Sequence, residues 1–251
     1  MTRPWSDHVL HCFGAKAADY SRCVTLQRSV AVRLAERIRR TPVPSGLWMD
    51  LGSGSGLLAD AIEQRHRHQR VLRVDGSPAM LRQQPVQATT LQHDLAGGLP
   101  QLPSTPALLA SSFCLHWLAT PAQHLRQWCQ ALTPDGLLAV AVPVQGSFPQ
   151  WHSAAEAASV PCTALAFPDA DELRTAVASH HVLLDQRLRF TQSSDDPSQL
   201  LRSFADIGAE ATQHQPLGGG AMRRLLRAWP RHKVTGAVSL TWSLQLLLVR
   251  R

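Results

Sequence analysis

The sequence predicts an α/β fold: a doubly wound, mostly parallel seven-stranded sheet with an antiparallel last strand and a helical insertion between the last two strands. Three observations predict it. Short apolar runs alternate with amphipathic helical stretches through about the first 145 residues, the pattern of strands joined by crossover helices. A glycine-rich turn, Gly52-Ser53-Gly54-Ser55-Gly56, separates the first apolar run from the next helix. The chain then closes on a period-two strand pattern. Residues 1–251 read as one domain, with an N-terminal helical segment over 1–45, a ligand-binding core over 46–145 and a helical cap over 192–236.

Each element has its own signal. Leu26, Val30, Leu34 and Ile38 recur every four residues within Val24–Arg40 and predict an amphipathic helix, which Pro42 and Pro44 end. Leu47–Leu51 is the first strand, and Leu57, Leu58, Ala61 and Ile62 resume helical spacing beyond the glycines. Val71–Val74 is a second strand ending at Asp75, and Ser77-Pro78 supplies an N-cap and a first-turn proline for a helix through Met80 and Leu81. Strands follow at Thr89–Asp94 and Ala107–Ser111, then a helix near Ala122–Leu132. The Pro134-Asp135-Gly136 turn leads into a strand at Leu137–Val142.

The last third is richer in helices, with candidates at Pro149–Ala158, Asp169–Ala178, Pro197–Ile207 and Gly220–Trp229, and a strand near Val182–Thr191. Val238, Leu240, Trp242, Leu244, Leu246 and Leu248 alternate with Ser239, Thr241, Ser243 and Gln245, which predicts a final strand with one better-covered face. If that strand pairs with Val182–Thr191, the intervening residues form an insertion placed to cap a substrate.

Composition bounds the function. Hydrophobic residues make up 44% of 251 and charged residues 17%, enough apolar matter for a sizeable core and too little charge for a disordered chain. No apolar run approaches the roughly 20 residues of a membrane span, and MTRPWSDHVLHCFG lacks the apolar centre of a signal peptide. Five cysteines without a C-x-x-C pair argue against a disulfide framework or a cysteine-rich zinc site, so a cytoplasmic address is expected. His66-x-His68 and His180-His181 have no third and fourth ligand at metal-site spacing and read as surface histidines; no metal is expected. The formal charge of +7, carried almost wholly by arginine, favours acidic partners. The arginines are dispersed and aromatics do not interleave with them, so no nucleic-acid platform is expected.

The chemistry gathers at the carboxyl edge of the expected sheet, where open α/β folds bind ligands. The loop after Asp50 is G-x-G-x-G, without the third-glycine spacing of a dinucleotide fingerprint and without the G-K-[ST] of a P-loop. Asp75, ending the second strand, is placed to accept ribose hydroxyls, and Asp94, closing the third, to take an exocyclic amine of adenine. A glycine loop and two acids without a phosphate lysine describe a nucleoside that carries an amino acid in place of phosphates.

With Asp75 and Asp94, the run Asp50-x-Gly52-x-Gly54-x-Gly56 resembles the Rossmann-like S-adenosylmethionine-dependent methyltransferases over about the first 145 residues. The ends resemble a narrower group. His11–Tyr20 with Leu26-Gln27, Val144–Pro149, Phe167-Pro168-Asp169, Leu201–Ala209 and Leu226–Pro230 are similar, in order, to segments of the malonyl-acyl-carrier-protein methyltransferases of biotin synthesis. The chain departs from that family at Ala107, where an acidic residue is common, at Ala205, where a lysine is common, and at Ser112, where asparagine is common.

The resemblance implies S-adenosylmethionine as cofactor and the free carboxylate of a malonyl thioester on acyl carrier protein as methyl acceptor. It implies a cofactor site of Gln27, Asp50, Gly52, Gly54, Gly56, Asp75, Gly76, Met80, Asp94, Leu95, Ser112 and Trp117. Tyr20, the single tyrosine, would lie over the methionine moiety or the acceptor carboxylate, and Arg202 would grip that carboxylate in a bidentate pair. Trp229 and Pro230 would wall the acceptor channel. Two rivals stay open: a methyltransferase of another small acid or of nucleic acid, and a non-catalytic module that binds the carrier protein.

Overall fold

A computed structural model describes residues 5–102, 104–212 and 214–251, so the expected N-terminal helical segment begins, at 1–4, outside the described residues. Two helices open the chain, α1 (Trp5–Cys23) and α2 (Thr25–Arg39). Strands and helices then alternate as β1 (Leu47–Leu51), α3 (Leu57–Arg65), β2 (Val71–Asp75), α4 (Pro78–Leu81), β3 (Thr90–Gln92), β4 (Pro106–Ser112), α5 (Pro121–Ala131) and β5 (Leu137–Pro143). The rest comprises α6 (Pro149–Ala157), α7 (Ala170–Ala176), β6 (His181–Ser194), α8 (Pro197–Asp206), α9 (Gly219–Arg227) and β7 (Val238–Arg250). Two short 3-10 turns, Leu95–Gly97 and Leu115–Trp117, carry no sequence signal that the periodicity registers.

The seven strands form one sheet in the order β3-β2-β1-β4-β5-β7-β6. β1 runs parallel to both β2 and β4, so the chain winds first to one side of β1 and then to the other, which opens a crevice at the carboxyl ends of β1 and β4. β7 is antiparallel to both its neighbours, β5 and β6. The cap leaves and re-enters the sheet at one point, because Ser194, the last residue of β6, pairs with Val238, the first of β7.

Strand alternation splits the core. Trp48, Leu108, Ala139 and Ala141 face α2 and α3, whereas Met49, Leu51, Leu109, Val140 and Val142 face α5 and α7. The polar positions of β7 are not its solvent face. Thr241 and Gln245 are buried, Thr241 Oγ1 accepting from Gln150 Nε2 at 2.9 Å and Gln245 Nε2 donating to Asp185 Oδ1 at 2.8 Å. β7 lies inside the sheet with helices on both sides, so Thr241 and Gln245 are matched to protein partners rather than to water. His66 is likewise not a free surface histidine, since its ring meets Trp48 edge-on at 4.8 Å. No helix among the described residues is long and apolar enough to cross a membrane.

Leu246 is fully buried in β7 between two antiparallel neighbours. Leu246→Ala is expected to lower unfolding free energy by about 2–5 kcal/mol in urea titrations, the range for emptying a packed leucine site.

Candidate functional site

The glycine loop is shaped from both ends. The amides of Gly52 and Ser53 both donate to Val74 O, at 2.8 and 2.9 Å, which pins the loop to the end of β2. The Gly54 amide donates to Asp75 Oδ2 at 2.8 Å while Asp75 Oδ1 accepts from Ser77 N at 2.8 Å, so one carboxylate joins two loops. Gly52, Gly54 and Gly56 all have positive φ, at 72°, 53° and 92°. Their reasons differ. A Cβ on Gly52 would collide with the Cys114 side chain, one on Gly56 would lie 2.6 Å from Arg73 Nη1, and one on Gly54 would meet nothing within 4 Å.

Behind the loop lies a polar network that the sequence reading missed. Arg73 is 1% exposed, pairs with Asp60 at 2.8 Å and Glu63 at 2.9 Å, and donates to Gln84 Oε1 at 3.3 Å. Gln84 Nε2 in turn donates to Gly54 O at 2.7 Å and Ser53 Oγ at 3.0 Å. An arginine inside an apolar strand was the available signal.

A cavity of about 270 Å³ opens in front of the loop. Tyr20, Gln27, Asp50, Gly52, Gly54, Asp75, Gly76, Met80, Asp94, Leu95, Ser112 and Trp117 all line it, as do Trp5, Val9 and Phe13 of α1 and Phe113 and Cys114, which the sequence did not single out. Two expected residues are elsewhere. Gly56 starts α3 and makes room for Arg73 rather than facing the cavity. Arg202 is exposed and is not part of the wall; on α8 its neighbours Leu201 and Phe204 turn inward, and the helical period carries Arg202 outward toward Asp196.

The cavity changes the acidity of its own groups. Burial pushes the Asp50 carboxyl up to about 7 against the opposing pull of the Ala59 amide and Arg73. Burial also raises Asp75, with the Ser77 and Gly54 amides drawing it back and the charge of Asp94 adding to the rise. The phenol of Tyr20 is pushed well above its ordinary range by burial and then by Asp75 and Cys114, so it stays protonated. Asp94 accepts from Ala96 N at 2.9 Å and caps its 3-10 turn. α1 is fastened over the cavity at both ends: Trp5 Nε1 donates to Trp117 O at 2.9 Å and Ser21 Oγ to Ser55 Oγ at 2.9 Å.

Residues 49–140 match the family described as a methyltransferase domain. A malonyl-acyl-carrier-protein O-methyltransferase of Pseudescherichia vulneris is 30% identical over 244 residues, 94% of each chain. The chain belongs to the malonyl-acyl-carrier-protein O-methyltransferase family. It is an S-adenosylmethionine-dependent methyltransferase. The biotin biosynthesis bifunctional protein BioCD of Bordetella avium is 29% identical over 228 residues, 87% of this chain, and the chain spans 48% of that relative's length. The YcgJ protein of Bacillus subtilis shares the fold at a TM-score of 0.58 and 11% identity, over 90% of this chain and 97% of that one.

In this O-methyltransferase family member the donor set of the main cavity fits the cofactor. Asp75 and Asp94 offer acceptors, Gly54 leaves open the space that a Cβ would fill, and the Ser112 hydroxyl is buried without a partner. A second cavity, of about 190 Å³, adjoins the first and shares Trp117 with it. Its wall is aromatic, with His116, Phe148, Trp151, Phe167, Phe204 and Trp242, and it lies under α8 and α9, which contribute Leu201 and Met222. Phe113 and Phe148 hold positive φ, at 56° and 59°, an unusual conformation for bulky side chains that costs on the order of 1–3 kcal/mol each. Their amides are anchored to Ala141 O and Thr241 O, and both rings abut Trp242, at 5.8 and 4.5 Å, between the cavities. Burial alone lowers the pKa of His116 to about 3, so this ring is neutral.

Two predictions follow from the loop and its acids. Gly54→Val is expected to abolish S-adenosylmethionine binding in calorimetry at a stability cost of about 1–3 kcal/mol from φ strain alone, whereas Gly52→Ala, which also strikes Cys114, lowers the melting temperature further. Full-strength binding by Gly54→Val would reduce the loop to a turn. The second concerns pH. Unfolded, Asp50 ionises near 3.8 and folded only near 7, so the folded state holds this proton more tightly. The resulting stability is complete below about pH 4 and is lost as pH rises through about 7. Asp50→Asn should flatten that decline in melting temperature, leaving the slope contributed in the same direction by Asp75.

Proposed function

We propose that the chain methylates the free carboxylate of a malonyl thioester carried on acyl carrier protein, giving the methyl ester that primes pimeloyl synthesis for biotin. The carrying observation is the match over 94% of both chains to a relative named for that reaction, a span that includes the cap as well as the core. The aromatic cavity adjoining the main one supplies room for an acceptor.

Within this reading the main cavity is the cofactor site. Asp75 takes the ribose hydroxyls on lone pairs left free by its two amides, and Asp94 takes the adenine amine. Met80, Leu95 and Trp117 pack the base, while Gln27, Asp50, Ser112 and the backbone of Gly52, Gly54 and Gly76 face the amino-acid end. Tyr20, held protonated, lies over the reacting groups as a hydrogen-bond donor. The cofactor supplies an electrophilic methyl: a C–O bond forms to the acceptor as the C–S bond breaks, giving a neutral thioether and a methyl ester with no proton to move.

A carboxylate is ionised at neutral pH, so no general base is needed. The chain's task is to align the acceptor and exclude water, and positioning of that kind supplies about 7–11 kcal/mol. The aromatic wall and the roof formed by α1 serve that task. Acyl carrier proteins are acidic, and a net charge of +7 favours their encounter with this chain within a screening length of about 8 Å at physiological salt.

Mass spectrometry of malonyl-acyl carrier protein incubated with the purified chain and S-adenosylmethionine is expected to show the mass of one added methyl, removable by ester hydrolysis. Labelled cofactor that marks nucleic acid or a different small acid, or that marks nothing, would overturn this reading.

A further inference from the structure

The formal charge is not spread evenly along the chain. Residues 1–210 carry 18 basic and 18 acidic side chains, whereas residues 211–251 carry seven basic and no acidic ones, so this last stretch holds the whole net charge of +7. Two of the seven, Arg250 and Arg251, close the end of β7 by donating to the carbonyls of Pro42 and Leu132. The other five, Arg223, Arg224, Arg227, Arg231 and Lys233, lie on α9 and on the turn that leads back into the sheet, and all are exposed.

The helical period sorts α9 into two faces. Leu225 is fully buried and Met222 lines the second cavity, while Arg227, four residues from Arg223 and three from Arg224, shares one outward face with both. Neighbours at those spacings lie about 5–6 Å apart between Cβ atoms, inside the screening length of about 8 Å at physiological salt, so the three guanidinium groups act as one source of positive potential. Among the described residues none of the three forms an ion pair or a side-chain hydrogen bond. Arginines that crowd α2 are treated differently: Glu36 pairs with Arg39 and Arg40 and also with Arg65 of α3. On α9 the like charges repel without compensation, and an anionic partner would relieve them. The turn that follows adds an apolar point. Val234 is 88% exposed beside Lys233, in a turn closed by the His232 amide donating to Ala237 O and by Arg231 Nη1 donating to Gly236 O. Cations with an exposed apolar side chain suit a protein surface, and α9 has no aromatic ring on which a nucleic-acid base could stack.

We propose that the outward face of α9, with Arg223, Arg224 and Arg227, together with the Lys233-Val234 turn, is the docking surface for the acidic carrier protein that presents the acyl thioester. This surface rests on the reading of the chain as a malonyl-thioester methyltransferase and deepens it by placing the carrier. One side of α9 offers the charge that an acidic protein lacks, and the other side, through Met222, is wall to the second cavity, so a carrier seated there brings its tethered group beside that cavity. No arginine or lysine lines the cavity itself. Recruitment by charge and enclosure of the arm are thereby divided between the two faces of one helix.

The test compares two triple variants of the full chain. One is Arg223→Glu/Arg224→Glu/Arg227→Glu; the other, a control for net charge, is Arg33→Glu/Arg67→Glu/Arg70→Glu, which reverses three exposed arginines away from the cap, and each takes the formal charge from +7 to +1. Fluorescence anisotropy follows labelled malonyl-acyl carrier protein binding to protein saturated with S-adenosylhomocysteine, at low and at physiological salt. KM and kcat are measured with malonyl-acyl carrier protein and with malonyl-pantetheine, which has no protein to dock. The α9 variant is expected to lose about tenfold or more in carrier affinity relative to the control, to raise KM for the carrier substrate alike, and to lose the salt dependence of wild-type binding, with kcat and the KM for malonyl-pantetheine within about twofold. If the reversal does not fold, Arg223→Gln/Arg224→Gln/Arg227→Gln replaces it and is expected to show the same pattern at smaller amplitude. Carrier affinity no lower in the α9 variant than in the control overturns the surface, as does a wild type that binds no carrier protein or that binds labelled duplex DNA in its place. Ester formation that is indifferent to α9 would thus overturn the surface and uphold the proposed reaction. Carrier binding that depends on α9 without any ester formed would do the reverse.

Discussion

The carboxylate of Asp75 accepts the amide of Gly54 with one oxygen and that of Ser77 with the other, so a single side chain at the end of β2 sets the separation of the two loops that face the main cavity. Its burial raises the cost of ionisation, and the two amides offset part of that cost. The loop is braced from behind as well, through Gln84 to the buried guanidinium of Arg73, itself paired with Asp60 and Glu63. A buried arginine without those partners would be strongly destabilising. The glycine loop is therefore a rigid part, with its amides tied internally and the open face at Gly54 in place before any ligand arrives, and the ordering is met on folding rather than on binding.

Most of this part of the site was legible in the sequence because its determinants are local. Asp50, Asp75 and Asp94 line the main cavity because each lies near the place where an apolar run stops, and that can be counted along the chain. Three glycines in a row of five looked alike, however, and only the structure separates Gly54, which faces open space, from Gly56, which makes room for an arginine from another strand. That distinction depends on a contact between residues 17 apart, outside the reach of periodicity.

The second cavity was less legible for the same reason taken further. Its wall draws on His116, Phe148, Trp151, Phe167, Phe204 and Trp242, spread over half the chain and brought together by packing. In α8 the most chemically suggestive residue, Arg202, points outward while its bland neighbours Leu201 and Phe204 point in; the period of the helix was readable but not which face would be covered. β7 repeats the lesson, since Thr241 and Gln245 were polar by sequence and buried by topology. An interior strand has no solvent face, and strand order is a property of the whole chain.

Because Ser194 and Val238 lie opposite one another where β6 ends and β7 begins, the cap hangs from the sheet like a pouch from a single seam. Its two ends are fixed at one ladder position, so residues can be added, removed or exchanged between them without shifting the register of any parallel strand. Loop-closure entropy grows only slowly with length, which makes such changes inexpensive. The part of the second cavity's wall that the cap supplies, with Leu201, Phe204 and Met222, can thus be exchanged while the glycine loop and its acids are inherited intact, and for those residues this architecture divides heritable novelty from heritable constancy at a single pair of residues.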